Sequence, residues 1–250
     1  MQTNQNIIYG RHPVIEALET GISIDKVFLL QGTKGELEVK LRQLTRQRNI
    51  PLIMAPKEKL SQLSNRGNHQ GIVAIMGIIA YYRIDELLPT ILEEKKDPLF
   101  VILDGITDIR NFGAIARSAE LSGVDALIVP TRKSAQINAA SLKASAGALA
   151  HIPVCRESNI IAAIDLLQMN GVQVLASDLK ADKIIYDLDL KEPTAIVLGA
   201  EDKGISKPVA RQADETFIIP QTGRADSFNV SVAAGIMLYE VNRQRTQSLD

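Results

Sequence analysis

Five near-continuous apolar runs after residue 98 restrict the folds open to this chain more than any other feature. They span 99–103, 126–129, 172–176, 195–198 and 216–219. A strand with one wet face alternates apolar and polar residues, whereas a strand covered on both faces does not. Helix-like segments at 113–122, 137–149 and 159–169 separate the runs. A last one, from about Asn229 to Arg243, sets Val230, Ala233, Ala234, Met237 and Val241 on one stripe. The expected fold class is α/β, with a parallel sheet flanked by helices.

The first 77 residues follow another rhythm. A helix at 13–20, strands at 26–30 and 50–54, a helix at 36–47 carrying Leu37, Leu41 and Leu44, and a strand at 70–76 predict a small separate α/β domain. Charged residues crowd 83–97 ahead of Pro98. The stretch 78–98 is therefore expected to be a short helix and linker, which leaves 99–250 as the second domain.

Charge is unevenly spread. The whole chain carries −1, which by itself argues against a polyanionic partner. From Lys26 to Arg66, however, nine basic residues stand against three acidic ones, a window of +6. The remainder holds 19 basic and 26 acidic residues, or −7. A basic module on an acidic body suits phosphate binding, although a well-solvated helix carrying Lys40, Arg42, Arg46 and Arg48 has the same composition.

Several other classes are disfavoured. Hydrophobic residues make up 46% of the chain, enough for a proper core, yet no stretch approaches the ~20 apolar residues of a membrane span. The opening Met-Gln-Thr-Asn-Gln-Asn lacks a basic segment leading into an apolar one, so no secretory signal is expected. A single cysteine, Cys155, fits a reducing cytoplasm and is expected to be a buried structural thiol. His12, His69 and His151 lack metal-ligand spacing, and no metal site is expected.

Three patches of small and polar residues fall where an apolar run gives way to a helix. They read Asn-Phe-Gly-Ala-Ile-Ala-Arg (111–117), Gly-Ala-Glu-Asp-Lys-Gly (199–204) and Ser-Phe-Asn-Val-Ser (227–231). In open α/β sheets that edge binds ligands, because helix N-termini leave backbone N–H groups unpaired there. The patches therefore predict one composite pocket. It is not a dinucleotide site, since Asp104-Gly105-Ile106-Thr107-Asp108 follows the first run instead of a glycine-rich turn. Nor is it a nucleoside-triphosphate loop, since Ile205-Ser206 follows Gly204 where a Lys-Ser/Thr pair is required.

Taken in order, the patches resemble the signature of the SpoU (TrmH-type) branch of the SPOUT RNA methyltransferases. Asn111, Gly113 and Arg117 match the first motif, Gly199, Glu201 and Gly204 the second, and Ile219-Pro220 with Ser227 to Ser231 the third. Lys143 to Ala148, followed by His151-Ile152-Pro153, is similar as well. Tyr9 to Leu18 and His69 to Ala74 resemble the L30e-like RNA-binding domain fused to this branch, and most of all the bacterial enzyme type that methylates a guanosine 2′-hydroxyl in 23S ribosomal RNA. Two departures are Phe228 in place of a leucine and Ile109 in place of a proline.

The resemblance implies a trefoil knot in the C-terminal part of the parallel-sheet domain, a homodimer, and transfer of a methyl group from S-adenosyl-L-methionine to a ribose 2′-oxygen without metal. It implies that Gly199, Gly204, Ile219 and Phe228 hold the cofactor, and that Arg117, Asn111, Ser227, Asn229 and Glu201 form the catalytic set. Arg117 is expected to act as a donor that orients the sugar, because a guanidinium does not give up its proton at physiological pH; an ion pair with Glu120 is its plain structural alternative. Asn111 and Ser227 are equally suited to helix N-caps, and Glu201 either holds a neighbour or is solvated. Ribosomal RNA is the expected partner. Transfer RNA, or a non-catalytic assembly role on RNA, are the alternatives.

Overall fold

A computed structural model of the chain describes residues 7–246; Met1 to Asn6, which carry the reading on a secretory signal, lie outside them. The chain divides into two compact units, 1–80 and 81–250.

The first unit runs β1 (Ile7–Tyr9), α1 (Arg11–Glu19), β2 (Ile24–Leu30), α2 (Glu36–Gln47), β3 (Leu52–Ala55), α3 (Lys57–Leu63) and β4 (Ile72–Met76). Its sheet has the order β1-β4-β2-β3, with β4 antiparallel to both neighbours and β3 parallel to β2. Val14, Leu18 and Leu41 pack with Val27, Leu29 and Ile72 on one face; Leu60 packs with Phe28, Val73 and Ile75 on the other. The sheet is therefore covered on both sides.

The second unit runs β5 (Tyr81–Tyr82), α4 (Ile84–Glu94), β6 (Leu99–Asp104), α5 (Ile109–Leu121), β7 (Ala126–Pro130), α6 (Ala139–Ala144), β8 (Val154–Glu157) and α7 (Ile160–Met169). It continues through β9 (Gln173–Ser177), β10 (Lys183–Ile184), β11 (Thr194–Gly199), α8 (Lys207–Gln212), β12 (Glu215–Ile218) and α9 (Val230–Thr246). Eight strands form one parallel sheet of order β10-β12-β9-β11-β6-β7-β8-β5. Every residue of β6 from Leu99 to Leu103 and of β11 from Thr194 to Leu198 is buried, as their unbroken apolar character demands. Phe100 and Ile102 face α4 and α7, and by strand alternation Val101 and Leu103 point to the opposite side. There α5 packs against α9, and α9 also lies on β11.

Three features differ from the sequence expectation. The stretch 78–98 is no free linker after Ala80: β5 pairs with β8, and Ile84, Leu88 and Ile91 of α4 join the core of the second unit. The helix expected over 137–149 stops at Ala144, where Ala146 and Gly147 take positive φ values of 50° and 93°. The stop brings Ala144 and Ser145 against α5, so close that a Cβ on Gly113 would lie 2.5 Å from the Ala144 Cβ. Strand β8 was not foreseen because it carries Arg156 and Glu157. Both are buried with partners: the Arg156 guanidinium stacks 3.3 Å from the Tyr81 ring centre, and Glu157 accepts the Ile84 N–H at 2.8 Å. Just before them in the chain, Cys155 is buried, and desolvation first, then the charge of Glu157, push its thiol up to about 12.

Candidate active site

Parallel strands bring their carboxyl ends to one edge, and here that edge gathers Asp104 of β6, Ser177 of β9, Gly199 of β11 and Ile218 of β12. After Gly199 the chain reverses tightly. Ala200 and Gly204 exchange both backbone hydrogen bonds, at 3.1 and 2.7 Å, with Gly204 at φ +64°. A Cβ on Gly199 would lie 2.1 Å from the Gly204 carbonyl carbon and from the Ile205 nitrogen, so no other residue fits there. Asp104 anchors the end of the reversal by accepting the Ser206 N–H at 2.7 Å.

A cavity of about 270 Å³ opens beside this reversal. Gly199, Gly204, Ile219 and Phe228, the four residues expected to hold a cofactor, all line it, together with Glu201 and Ser227. Leu198, Ile218, Val230 and Met237 supply apolar wall, and Asp178 and Gln221 supply polar groups. An apolar wall with a few polar groups and bare backbone edges is the make-up of a site for a nucleoside-sized ligand. A second recess of about 380 Å³ adjoins it, sharing Glu201 and Val230 and adding Gly105, Thr107, Asp108 and Asn111.

The three motifs meet in one hydrogen-bonded cluster. Asn111 Nδ2 donates to Glu201 Oε2 at 3.0 Å, and Asn229 Nδ2 donates to Glu201 Oε1 at 3.1 Å and to Asn111 Oδ1 at 3.1 Å. Asn229 Oδ1 accepts from the Ser231 N–H at 2.9 Å and from Ser231 Oγ at 2.6 Å. With its oxygen committed to the first turn of α9, the Asn229 amide must aim its N–H groups at the carboxylate. Each Glu201 oxygen thus takes one amide hydrogen, which ties the starts of α5 and α9 to the reversal after β11.

The structure settles several alternatives. Asp108 caps α5, accepting from the Arg110 and Asn111 N–H groups at 2.9 Å each, and Asn229 caps α9; neither Asn111 nor Ser227 is the N-cap. Glu201 holds Asn111 and Asn229, not Arg117. Arg117 lies six residues beyond Asn111, roughly 120° around the helix at about 100° per residue, and lines neither cavity. It is exposed and, among the described residues, forms no ion pair with Glu120. Asp104, Asp108 and Asp178 were not anticipated at the site. An aspartate just before an apolar-periodic helix is a capping signal that would have revealed Asp108, whereas the anchoring by Asp104 depends on a contact across 102 residues. Among the described residues no group of three or more His, Cys, Asp or Glu is arranged to hold a metal ion, and no helix is long and apolar enough to cross a membrane.

The chain also matches known proteins along its length. The sequence profile of the SpoU rRNA Methylase family matches residues 98–239, and that of RNA 2′-O ribose methyltransferase substrate binding matches 7–81. The chain is similar to YacO of Bacillus subtilis (strain 168), named a putative TrmH family tRNA/rRNA methyltransferase, at 32% identity over 98% of each chain. It is similar in structure to the AdoMet-bound rRNA methyltransferase of Sinorhizobium meliloti, with TM-score 0.61 and 28% identity over 95% of this chain and 86% of that one. The SpoU methyltransferase AviRb of Streptomyces viridochromogenes, solved in complex with AdoMet, gives TM-score 0.62 and 25% identity over 96% and 90% of the two chains. S-adenosylmethionine is the methyl donor of this family. The chain belongs to the SpoU methylase family of RNA methyltransferases.

Proposed function

We propose that this protein methylates a ribose 2′-hydroxyl of RNA, with a guanosine of 23S ribosomal RNA as the acceptor. The observation that carries the reading is the Asn111–Glu201–Asn229 cluster beside a cavity lined by all four expected cofactor residues. Gly199, Gly204, Ile219 and Phe228 would hold S-adenosylmethionine, which when bound supplies a methyl group made electrophilic by its sulfonium. Glu201, Asn111 and Asn229 keep the cavity wall and two helix starts in fixed register, and Ser227 is among the residues that line the cavity. Such positioning can contribute ~7–11 kcal/mol when reacting atoms are well aligned. Arg117 donates hydrogen bonds that orient the acceptor sugar and stabilise developing charge on its oxygen.

Arg117 reaches an acceptor only if another surface brings one to it, and the same reading includes a homodimer. Arg117 and Leu121 share a face of α5 at i,i+4 spacing, and Val232 and Tyr239 share one of α9 at i,i+7. Leu121, Val232 and Tyr239 are 74%, 51% and 69% exposed, which supports a covered surface on this side of the unit. A C-terminal trefoil knot also belongs to the reading, supported by the likeness to SpoU structures and by the order β12-β9-β11.

The test is transfer of labelled methyl groups to unmodified large-subunit ribosomal RNA and to transfer RNA. Wild type is expected to label ribosomal RNA, and Arg117→Ala to abolish turnover with donor affinity nearly unchanged. Activity kept within about tenfold, equivalent to ~1.4 kcal/mol, removes Arg117 from the mechanism. Labelling of transfer RNA alone reassigns the substrate, and no labelling by a donor-binding wild type favours the assembly factor.

A further inference from the structure

The last helix is fastened at both ends, and only its amino end belongs to the cluster at the candidate active site. At its carboxyl end the Arg245 guanidinium donates to three backbone carbonyls. Nε reaches Leu190 at 3.0 Å, Nη1 reaches Asp97 at 2.6 Å and Nη2 reaches Glu192 at 2.9 Å. The Asp97 carboxylate stands 3.9 Å away. Gln244, itself buried, accepts the Leu190 N–H on Oε1 at 3.0 Å and donates from Nε2 to Glu240 at 2.8 Å. Leu190 is fully buried, and both of its backbone polar groups are taken up by consecutive side chains of α9.

The two fastenings engage the same pair of strands. Asp97 lies two residues before β6, and Glu192 lies two residues before β11. At the other end of the helix, Asn229 bonds Glu201, two residues beyond β11, and Asn111, on the helix that follows β6. Helix α9 therefore ties the entries of these central strands to the loop and helix that follow them. Asn229 and Arg245 are 16 residues apart in the chain, roughly 24 Å along a helix at about 1.5 Å per residue.

What lies between the two ends holds α9 down without fixing it lengthwise. Ala234, Met237, Leu238 and Val241 are buried under the helix, and apolar contact is non-directional. An axial shift of about 1 Å, of the size seen when helices slide past their neighbours, keeps most of that burial. The same shift stretches the 3.1 Å bonds of Asn229 toward and past about 3.5 Å, where a hydrogen bond is lost. The lengthwise position of α9 is therefore set by its directional bonds, three of which belong to Arg245.

We infer that Arg245 is a positioning residue for methyl transfer: by fastening α9 to the entries of β6 and β11, it sets the register in which Asn229 meets Glu201 and Asn111. The inference rests on the proposed role of that cluster in the reaction. Its test is a double-mutant cycle in the full-length protein, read as labelled methyl transfer to in-vitro-transcribed large-subunit ribosomal RNA and transfer RNA. Arg245→Ala is expected to lower kcat about tenfold, with KM for RNA within about twofold. Independent sites this far apart contribute additively. Asn229→Ala/Arg245→Ala should instead turn over within about twofold of Asn229→Ala alone. Guanidinium ion at millimolar concentration should restore part of the kcat of Arg245→Ala and none of that of Asn229→Ala. Arg245→Lys, which keeps the charge but loses the planar fork, carries the same cycle if the alanine variant does not fold. Hydrogen exchange supplies a readout apart from activity. Arg245→Ala should speed exchange at Ser231 and Ala233, whose N–H groups bond Asn229. Ile161 and Ala162, at the Asn159-capped start of α7, should keep their rates. Additive losses of turnover, or exchange that rises equally at both helix starts, reduce Arg245 to a stabilising contact and overturn the inference. Wild-type turnover in Asn229→Ala sinks the role of the cluster and the inference with it. Absence of methyl transfer by wild type sinks the proposed function, and the exchange pattern then decides whether Arg245 sets the register of α9.

Discussion

Both units expose the carboxyl edge of parallel strands, and they furnish it in opposite ways. At the edge of the second sheet, a carboxylate and two amides from residues 28 to 118 positions apart are locked to one another. At the edge of the first, Arg11, Lys34, Lys57, Lys59 and Arg66 stand on the connections with no carboxylate partner among the described residues. The difference follows from what each edge has to do. Aligning reacting atoms requires groups whose orientation is already settled before the substrate arrives, so hydrogen bonds are spent internally. Holding a polyanion requires charge left free to displace counterions, so internal pairing would defeat it.

The comparison can be broken most directly at Gly199. Gly199→Ala forces a Cβ into the backbone of Gly204 and Ile205, and the reversal must open. Donor affinity is expected to fall at least ~100-fold, with stability lower by about 1–3 kcal/mol; calorimetry and urea denaturation read the two. Near-normal donor binding would show that the cavity beside the reversal is not the cofactor site. Asn229→Ala probes the lock itself. It removes the α9 cap, at a cost of about 0.5–2 kcal/mol, and frees one Glu201 oxygen. Turnover should drop by ~10- to 100-fold, as expected for loosened positioning, with RNA affinity unchanged. Turnover equal to wild type would reduce the cluster to a fold element. The smallest effect belongs to Cys155, whose buried thiol is raised to about 12. The folded protein should resist alkylation at pH 8 and react once denatured. The sign for stability is destabilising in alkali: above the thiol's ordinary value the unfolded chain loses the proton first, so stability declines as pH rises from about 9. Rapid labelling of native protein would show the core around β8 to be open.

Much of this was legible in the residues. Unbroken apolar runs announced strands buried on both faces, since no alternation survives when helices cover each side, and the motif glycines announced a place where backbone comes close. The charge window pointed to the first unit, yet it could not separate Arg48, which bonds three carbonyls, from Lys57, which has no carboxylate partner among the described residues. Strand β8 escaped because its charged residues find partners on α4 and β5 that no local pattern shows.

By itself, then, the chain's order of residues determined which segments become strands and helices and which small residues recur at their junctions, because propensity and burial act over a few neighbours. Only the tertiary structure decided that Asn111, Glu201 and Asn229 share one lock, that Arg117 turns away from it, and that five cations at one end of the first sheet have no carboxylate partner among the described residues. Those outcomes depend on which strand ends meet at a sheet edge, and hydrogen bonds across 90 or 118 residues exist only once the sheet has been assembled.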